Sequence, residues 1–179
     1  MEVYMADYSV EKPAIGHDRF YFTKKFVGVI SDDVFMTLDE WISRSVQQED
    51  TDLFLQIDIE GFEYEVFLAA SASLMRRFRV IVAEFHRLDH LWDRAFFNFA
   101  SRAFEKILET HTCVHLHPNN ARGSVKRKSL EVPLNMEFTF LRNDRIEGKR
   151  PASGFPHSLD ADNVRTKPPM VLPDCWWRY

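Results

Sequence analysis

The chain has 179 residues, of which 45% are hydrophobic and 28% charged, so it can form one globular domain with a core. Its net charge of −4 argues against a general nucleic-acid binder, which is usually basic. No apolar stretch approaches the roughly 20 residues of a membrane span. Two cysteines are too few for a disulfide framework, so a cytoplasmic location is expected.

Apolar periodicity and turn residues predict alternating strands and helices along the chain. The spacing of Thr37 and Glu40 is that of a capping box and marks a helix start. The predicted strands are residues 3–6, 20–29, 53–59, 79–86, 112–117 and 136–142. The predicted helices are residues 37–45, 61–70, 74–78 and 93–110.

This alternation predicts an α/β fold with a mostly parallel sheet. Strand 53–59 is nearly continuous in apolar residues, which is typical of a strand covered on both faces. We expect a domain over residues 1–146. The remainder, 147–179, is rich in proline and charge, and we expect an irregular tail that packs on the same domain. The basic run 122–128 is expected to be a solvated loop.

The stretch IDIEGFE, residues 57–63, places three carboxylates around one glycine at the end of a predicted strand. Asp58 and Glu60 would share a face if the strand geometry continues through them. Asp58 follows an apolar run, where an unpaired carboxylate is costly, and this favours a site. Glu63 is interpreted as a residue that starts the next helix, where a negative charge is stabilising.

Other polar residues also follow predicted strands, where ligands bind in such sheets. Glu84 and His86 should face the same way, as a proton-transfer pair or a structural hydrogen-bonded pair. An acidic residue at the position of Asp7 can accept both hydroxyls of a ribose.

The stretch HLHPNN, residues 115–120, carries two histidines at a spacing that can supply two metal ligands, although an isolated pair is weak evidence. Asn119 or Asn120 can hydrogen-bond a substrate.

Three motifs occur together in one order: TLDEW (37–41), DLFLQIDIEGFEYEVFLAA (52–70) and RVIVAEFH (79–86). In this combination the chain resembles the FkbM-type family of S-adenosylmethionine-dependent methyltransferases. The later stretches HLHPNN, MEFTFLRNDRI and LPDCW are similar to a bacterial branch of that family. The resemblance implies a Rossmann-like methyltransferase sheet whose last strand, 136–142, is antiparallel.

The resemblance also implies a function for each matching residue. S-adenosylmethionine would be the cofactor, bound by Asp7 and Asp58. The catalytic residues would be Asp58, Glu60 and His86, with His86 or Asp58 as the base. The acceptor would be bound by Glu84, His117 and Asn119. It would be a small molecule or glycan, such as a sugar or natural-product hydroxyl, with no metal, nucleic acid or membrane involved.

One departure from the family is the glycine-rich first strand and turn, which is absent from these residues. A truncated form of a longer enzyme accounts for this, and so would a degenerate paralogue or completion by a partner chain. Two rivals remain. One is a non-catalytic remnant that serves as a binding module. The other is a metal-dependent hydrolase, whose ligands would be Asp58, Glu60, Glu84, His86, His115 and His117.

Overall fold

The computed structural model describes residues 1–48, 51–128, 130–150, 152 and 154–178. The strands are β1 (Val3–Ala6), β2 (Phe20–Thr23), β3 (Phe26–Gly28), β4 (Phe35–Thr37), β5 (Leu53–Ile57), β6 (Phe78–Phe85), β7 (His111–Pro118), β8 (Ser124–Arg127), β9 (Leu130–Pro133) and β10 (Met136–Arg142). The helices are α1 (Leu38–Ser45), α2 (Glu63–Ala69), α3 (Ala72–Met75) and α4 (Arg94–Leu108). The fold is therefore mixed α/β, as the alternating pattern predicts.

The central sheet has the strand order β5–β6–β10–β7. Strand β5 is parallel to β6, whereas β10 is antiparallel to both of its neighbours, β6 and β7. Three of the four strands therefore run in one direction, and the predicted antiparallel strand at 136–142 is confirmed. This mostly parallel sheet is compatible with a Rossmann-like fold.

Helices α2 and α4 cover one face of this sheet with aromatic side chains. The Phe85 ring lies 5.9 Å from that of Phe67 and 4.5 Å from that of Phe104, between centroids. The opposite face is more open: Gln56 is exposed, and 58% of Phe54 is accessible. The expectation that residues 53–59 are covered on both faces is therefore wrong, because the described residues leave Phe54 and Gln56 on one face of β5 exposed.

Local signals place the helix starts well. The Thr37 hydroxyl accepts the Glu40 N–H at 3.2 Å, so the predicted cap of α1 is confirmed. The Asp93 carboxylate does the same for α4, accepting the Phe96 N–H at 2.9 Å.

The single strand predicted at residues 20–29 is two strands in the structure. Strand β2 pairs in parallel with β1, whereas β3 pairs in parallel with β4. Between them the Lys25 N–H donates to the Thr23 carbonyl at 2.9 Å, which turns the backbone. The prediction was wrong because the two halves are equally apolar but pair with different partners.

The basic run 122–128 is also more ordered than expected. Most of it lies in β8, which forms an antiparallel pair with β9, with Val125 opposite Val132. Val132 is buried, so packing on the β9 side of the pair favours this hairpin.

The segment after residue 146 is mostly irregular and lies against the rest of the chain. Leu172 is buried in the core, and the Trp176 indole N–H donates to the Glu131 carbonyl at 2.9 Å. None of the helices in the described ranges is long and apolar enough to cross a membrane.

Candidate active site at the ends of strands β5 and β6

The candidate site begins where β5 and β6 end side by side. Strand β5 ends at Ile57, two residues earlier than predicted, and Asp58 follows directly. Strand β6 ends at Phe85, and His86 follows. Because the two strands are parallel neighbours, both polar residues emerge at the same edge of the sheet.

His86 is the centre of a group that also contains Asp58 and Glu60. Its side chain is only 8% exposed, and its Nε2 lies 3.7 Å from Asp58 Oδ1 and 3.5 Å from Glu60 Oε2. Both carboxylates are more than half exposed. The three predicted catalytic residues are therefore brought together, although Glu60 lies beyond the strand and not on a continued strand face.

Glu63 binds the other nitrogen of the same ring. His86 Nδ1 lies 3.0 Å from Glu63 Oε1, and the Glu63 side chain is fully buried. An ionised carboxylate only accepts hydrogen bonds, so the ring hydrogen is inferred to be on Nδ1. The lone pair of neutral His86 is then on Nε2, which faces Asp58 and Glu60.

Glu63 also binds the backbone of the loop that carries Asp58 and Glu60. Its Oε1 accepts the N–H groups of Ile59 at 3.0 Å and Gly61 at 3.2 Å. Glu63 is the first residue of α2, as its interpretation as a helix start requires. Sequence reasoning did not include it among the site residues. The one signal in the sequence that could have indicated a site residue was its position, three residues after Glu60.

The backbone at this edge adopts uncommon conformations. Glu60 and Arg87 have φ angles of 57° and 60°, and Gly61 has φ of 109°. Non-glycine residues rarely have positive φ, and such strain concentrates at functional sites. The hydrogen bonds that Glu63 accepts from Ile59 and Gly61 hold the loop after β5 in place.

The surroundings of this group raise the pKa values of Asp58 and His86 and lower the pKa of Glu63. Burial, with the nearby negative charge of Glu84, raises the pKa of Asp58. Burial alone would lower the pKa of His86, but the hydrogen bond and charge of Glu63 raise it above its usual 6.5. Burial alone would raise the pKa of Glu63, but hydrogen bonds from His86 and from the Ile59 N–H lower it.

The predicted acceptor-binding residues Glu84 and Asn119 bind each other. The Asn119 side-chain amide donates to Glu84 Oε1 at 2.7 Å, and its Oδ1 accepts the Ala121 N–H at 2.8 Å. Glu84 therefore pairs with the turn after β7 and makes no described hydrogen bond to His86. The sequence left open a hydrogen-bonded pair between Glu84 and His86. The described hydrogen bonds do not include such a pair.

His115 and His117 contact the tail instead of the His86 group. His115 Nε2 lies 2.8 Å from Asp160 Oδ1, and His117 Nδ1 lies 3.6 Å from Asp160 Oδ2. Both ring nitrogens of His117 are buried without a hydrogen bond among the described residues. Asp160 was not identified from the sequence, because it lies 43 positions after His117 in the chain.

Asp7 follows β1, in a two-stranded sheet separate from the central one. Its Oδ1 accepts the backbone N–H and the hydroxyl of Ser9, both at 2.7 Å. Its other oxygen makes no hydrogen bond among the described residues, so it remains available to a ligand hydroxyl.

The ligand atoms of Asp58, Glu60 and His86 lie within 4.8 Å of one another, so these three residues could hold a divalent ion. In the described part of the chain they are the one such group. The six-residue site of the metal-dependent hydrolase is not assembled, because His115 and His117 contact Asp160.

A comparison with protein families identifies a family model that matches the first part of the chain. The model of the methyltransferase FkbM domain matches residues 7–111, which is more than half of the chain. The chain belongs to the FkbM methyltransferase family. Comparisons with curated proteins and with solved structures gave no match.

The FkbM domain match divides the candidate residues into two sets. Asp7, Asp58, Glu60, Glu63, Glu84 and His86 lie inside it. His115, His117, Asn119 and Asp160 lie beyond it. The methyltransferase assignment therefore bears directly on the His86 group and not on the tail contacts.

Proposed function

We propose that this protein transfers a methyl group from S-adenosylmethionine to a hydroxyl of a sugar or natural product. The family match supports methyl transfer in general. The observation that carries the proposal is the His86 ring, which is held at Nδ1 by buried Glu63 and directs Nε2 toward Asp58 and Glu60. Removal of a hydroxyl proton requires a base in such a position.

Two residues fit the cofactor. Asp7 ends a strand and keeps one carboxylate oxygen without a described hydrogen bond, which suits the ribose hydroxyls. Asp58 directly follows β5 of the central sheet and lies beside His86. When bound, S-adenosylmethionine supplies a methyl group that is activated by its sulfonium charge.

The chain's own residues position and deprotonate the acceptor. The acceptor hydroxyl would donate a hydrogen bond to the lone pair of His86 Nε2, and this nitrogen would take the proton as the oxygen is methylated. The positive charge that this leaves on the imidazole is stabilised by Glu63 on one side and by Asp58 and Glu60 on the other. Most of the rate enhancement comes from holding the reacting groups in line.

We propose that Glu84, His117 and Asn119 line the acceptor side. Glu84 and His117 lie on strands of the central sheet, with Glu137 opposite both, and Asn119 is bonded to Glu84. The acidic surroundings suit a neutral, hydroxyl-rich small molecule or glycan better than a nucleic acid.

The free cysteines Cys113 and Cys175 support a reducing, cytoplasmic location.

We propose further that this chain is a truncated form and that another strand completes its sheet. Within the described ranges β5 pairs with β6 alone, so its other edge has unpaired N–H and C=O groups. The glycine-rich turn expected of the family is also missing from the sequence. Such a chain would bind the cofactor weakly.

Calorimetry with S-adenosylmethionine tests the proposal on this chain and on a form extended upstream in its genome. We expect the extended form to bind and this chain to bind weakly or not at all. Binding by neither form would refute the methyltransferase proposal for this protein.

The role of His86 is tested in whichever of the two forms binds S-adenosylmethionine, called the binding-competent form. The methyl-transfer rate is measured with a panel of hydroxyl-bearing monosaccharides. We expect His86→Asn to lower kcat by about 10²–10⁴-fold with unchanged cofactor affinity. The matched control is His90→Asn, since His90 is half exposed and makes no described contact with Asp58 or Glu60. Equal kcat values for the two variants would remove His86 as the base.

A further inference from the structure

Glu63 is a fully buried carboxylate whose one ionisable partner within the described residues is His86. Its Oε1 accepts three hydrogen bonds, whereas its Oε2 is buried without a hydrogen bond among the described residues. A buried charge is unfavourable unless it is paired and hydrogen-bonded. The favourable state of Glu63 therefore depends on a hydrogen donated by the imidazole of His86.

The charged groups around His86 come from each of the neighbouring elements. Glu63 faces Nδ1 from α2, and Asp58 and Glu60 face Nε2 from the loop after β5. Glu84 acts on the ring from β6 through its charge. The guanidinium of Arg87, the next residue in the chain, lies over the Phe96 ring at 5.5 Å instead.

A single oxygen of Glu63 therefore connects two parts of the site. It binds the ring of His86, and it binds the backbone on both sides of Glu60, which has a positive φ. Changing this carboxylate should alter both the state of the ring and the position of the carboxylates that face Nε2.

We propose that Glu63 is the positioning residue of the methyl-transfer site, which keeps the His86 hydrogen on Nδ1 and holds Asp58 and Glu60 beside Nε2. This inference rests on the proposed function. It assigns to Glu63 a role beyond starting α2, because a helix start needs no contact with the ring of residue 86.

Glu63→Gln tests this with little change of shape, because its amide oxygen can still accept the three hydrogen bonds while the charge is lost. The readout is a ¹⁵N NMR titration of the His86 ring, which needs neither cofactor nor acceptor. We expect the pKa of His86 to fall, because the negative charge of Glu63 that stabilises the protonated ring is removed. The matched control is Glu65→Gln in the same helix, whose carboxylate makes no described hydrogen bond or ion pair.

Activity gives a second readout in the binding-competent form. In Glu63→Gln we expect the acidic limb of the kcat/KM profile to move to lower pH and kcat to fall more than KM rises. A residue that only supports the fold would change stability without moving this limb.

The outcomes separate this inference from the proposed function. An unchanged His86 pKa in Glu63→Gln would overturn the positioning role. So would a wild-type ring whose neutral form has its hydrogen on Nε2, a measurement that requires no variant to fold. A shifted His86 pKa without S-adenosylmethionine binding in any form would keep the Glu63–His86 coupling and refute the methyl-transfer function.

Discussion

The hydrogen bond from Tyr64 to the backbone of His86 offers a sharp test of how helix α2 supports the site. The Tyr64 hydroxyl donates to the His86 carbonyl at 2.7 Å, and the residue is fully buried. Its ring packs against Phe85 and Phe96, with centroids 5.1 and 5.3 Å away. The side chain therefore contributes both aromatic packing and one buried hydrogen bond.

The substitution Tyr64→Phe removes the hydrogen bond and keeps the ring. A typical hydrogen bond contributes about 0.5–1.5 kcal/mol net, and a buried acceptor left without its partner costs about 1–3 kcal/mol. We therefore expect the free energy of unfolding to fall by about 2 kcal/mol. For a chain of this length that corresponds to a Tm about 4–8 °C lower.

The assay is urea unfolding of wild type, Tyr64→Phe and the control Tyr4→Phe. The Tyr4 hydroxyl donates to Glu2 at 2.8 Å on the surface, so its loss should cost under about 0.5 kcal/mol. The urea dependence, m, should be the same in all three proteins, since the surface exposed on unfolding is unchanged. A loss in Tyr64→Phe no greater than in the control would refute the reasoning that α2 is bonded to the site through this hydroxyl.

Two further predictions concern a buried histidine and the tail. Burial lowers the pKa of His111 below its usual 6.5, so its stabilising contribution is complete above pH 6.5 and is lost as the pH falls through the lower folded-state pKa. Urea unfolding at several pH values measures this. Between about pH 7 and about pH 5 the free energy of unfolding should fall more in the wild type than in His111→Gln, and an equal fall in both proteins would contradict the prediction. Asp160→Asn should speed tryptic cleavage of the tail, because it weakens the contact with His115, whereas Asp162→Asn should not. Equal cleavage rates for the two variants would show that Asp160 does not anchor the tail.

Local patterns in the sequence predicted most of the elements. The strand predicted at 136–142 has the same bounds in the structure, and the one at 79–86 is displaced by a single residue. The caps at Thr37 and Asp93 follow from side chains that bond a backbone N–H three residues later. These features were predictable because the interactions that create them join residues close together in the chain.

The site was only partly predictable. Asp58, Glu60 and His86 were expected at strand ends and do meet there, because carboxyl ends of neighbouring parallel strands lie at one edge.

Other features were missed. The two strands within residues 20–29 were not predicted, because each half pairs with a different partner. Asp160 was missed because nothing near it in the chain indicates a contact with β7.

Glu63 shows which part of the site could not be predicted from the sequence. The spacing of its neighbours was enough to place it at a helix start, and that placement holds in the structure. Its contact with His86 joins residues 23 positions apart, and no local pattern specifies it. The amino-acid order thus determined strands, helix caps and a carboxylate-rich loop, whereas the packing of α2 against β6 alone decided which carboxylate is buried against the imidazole.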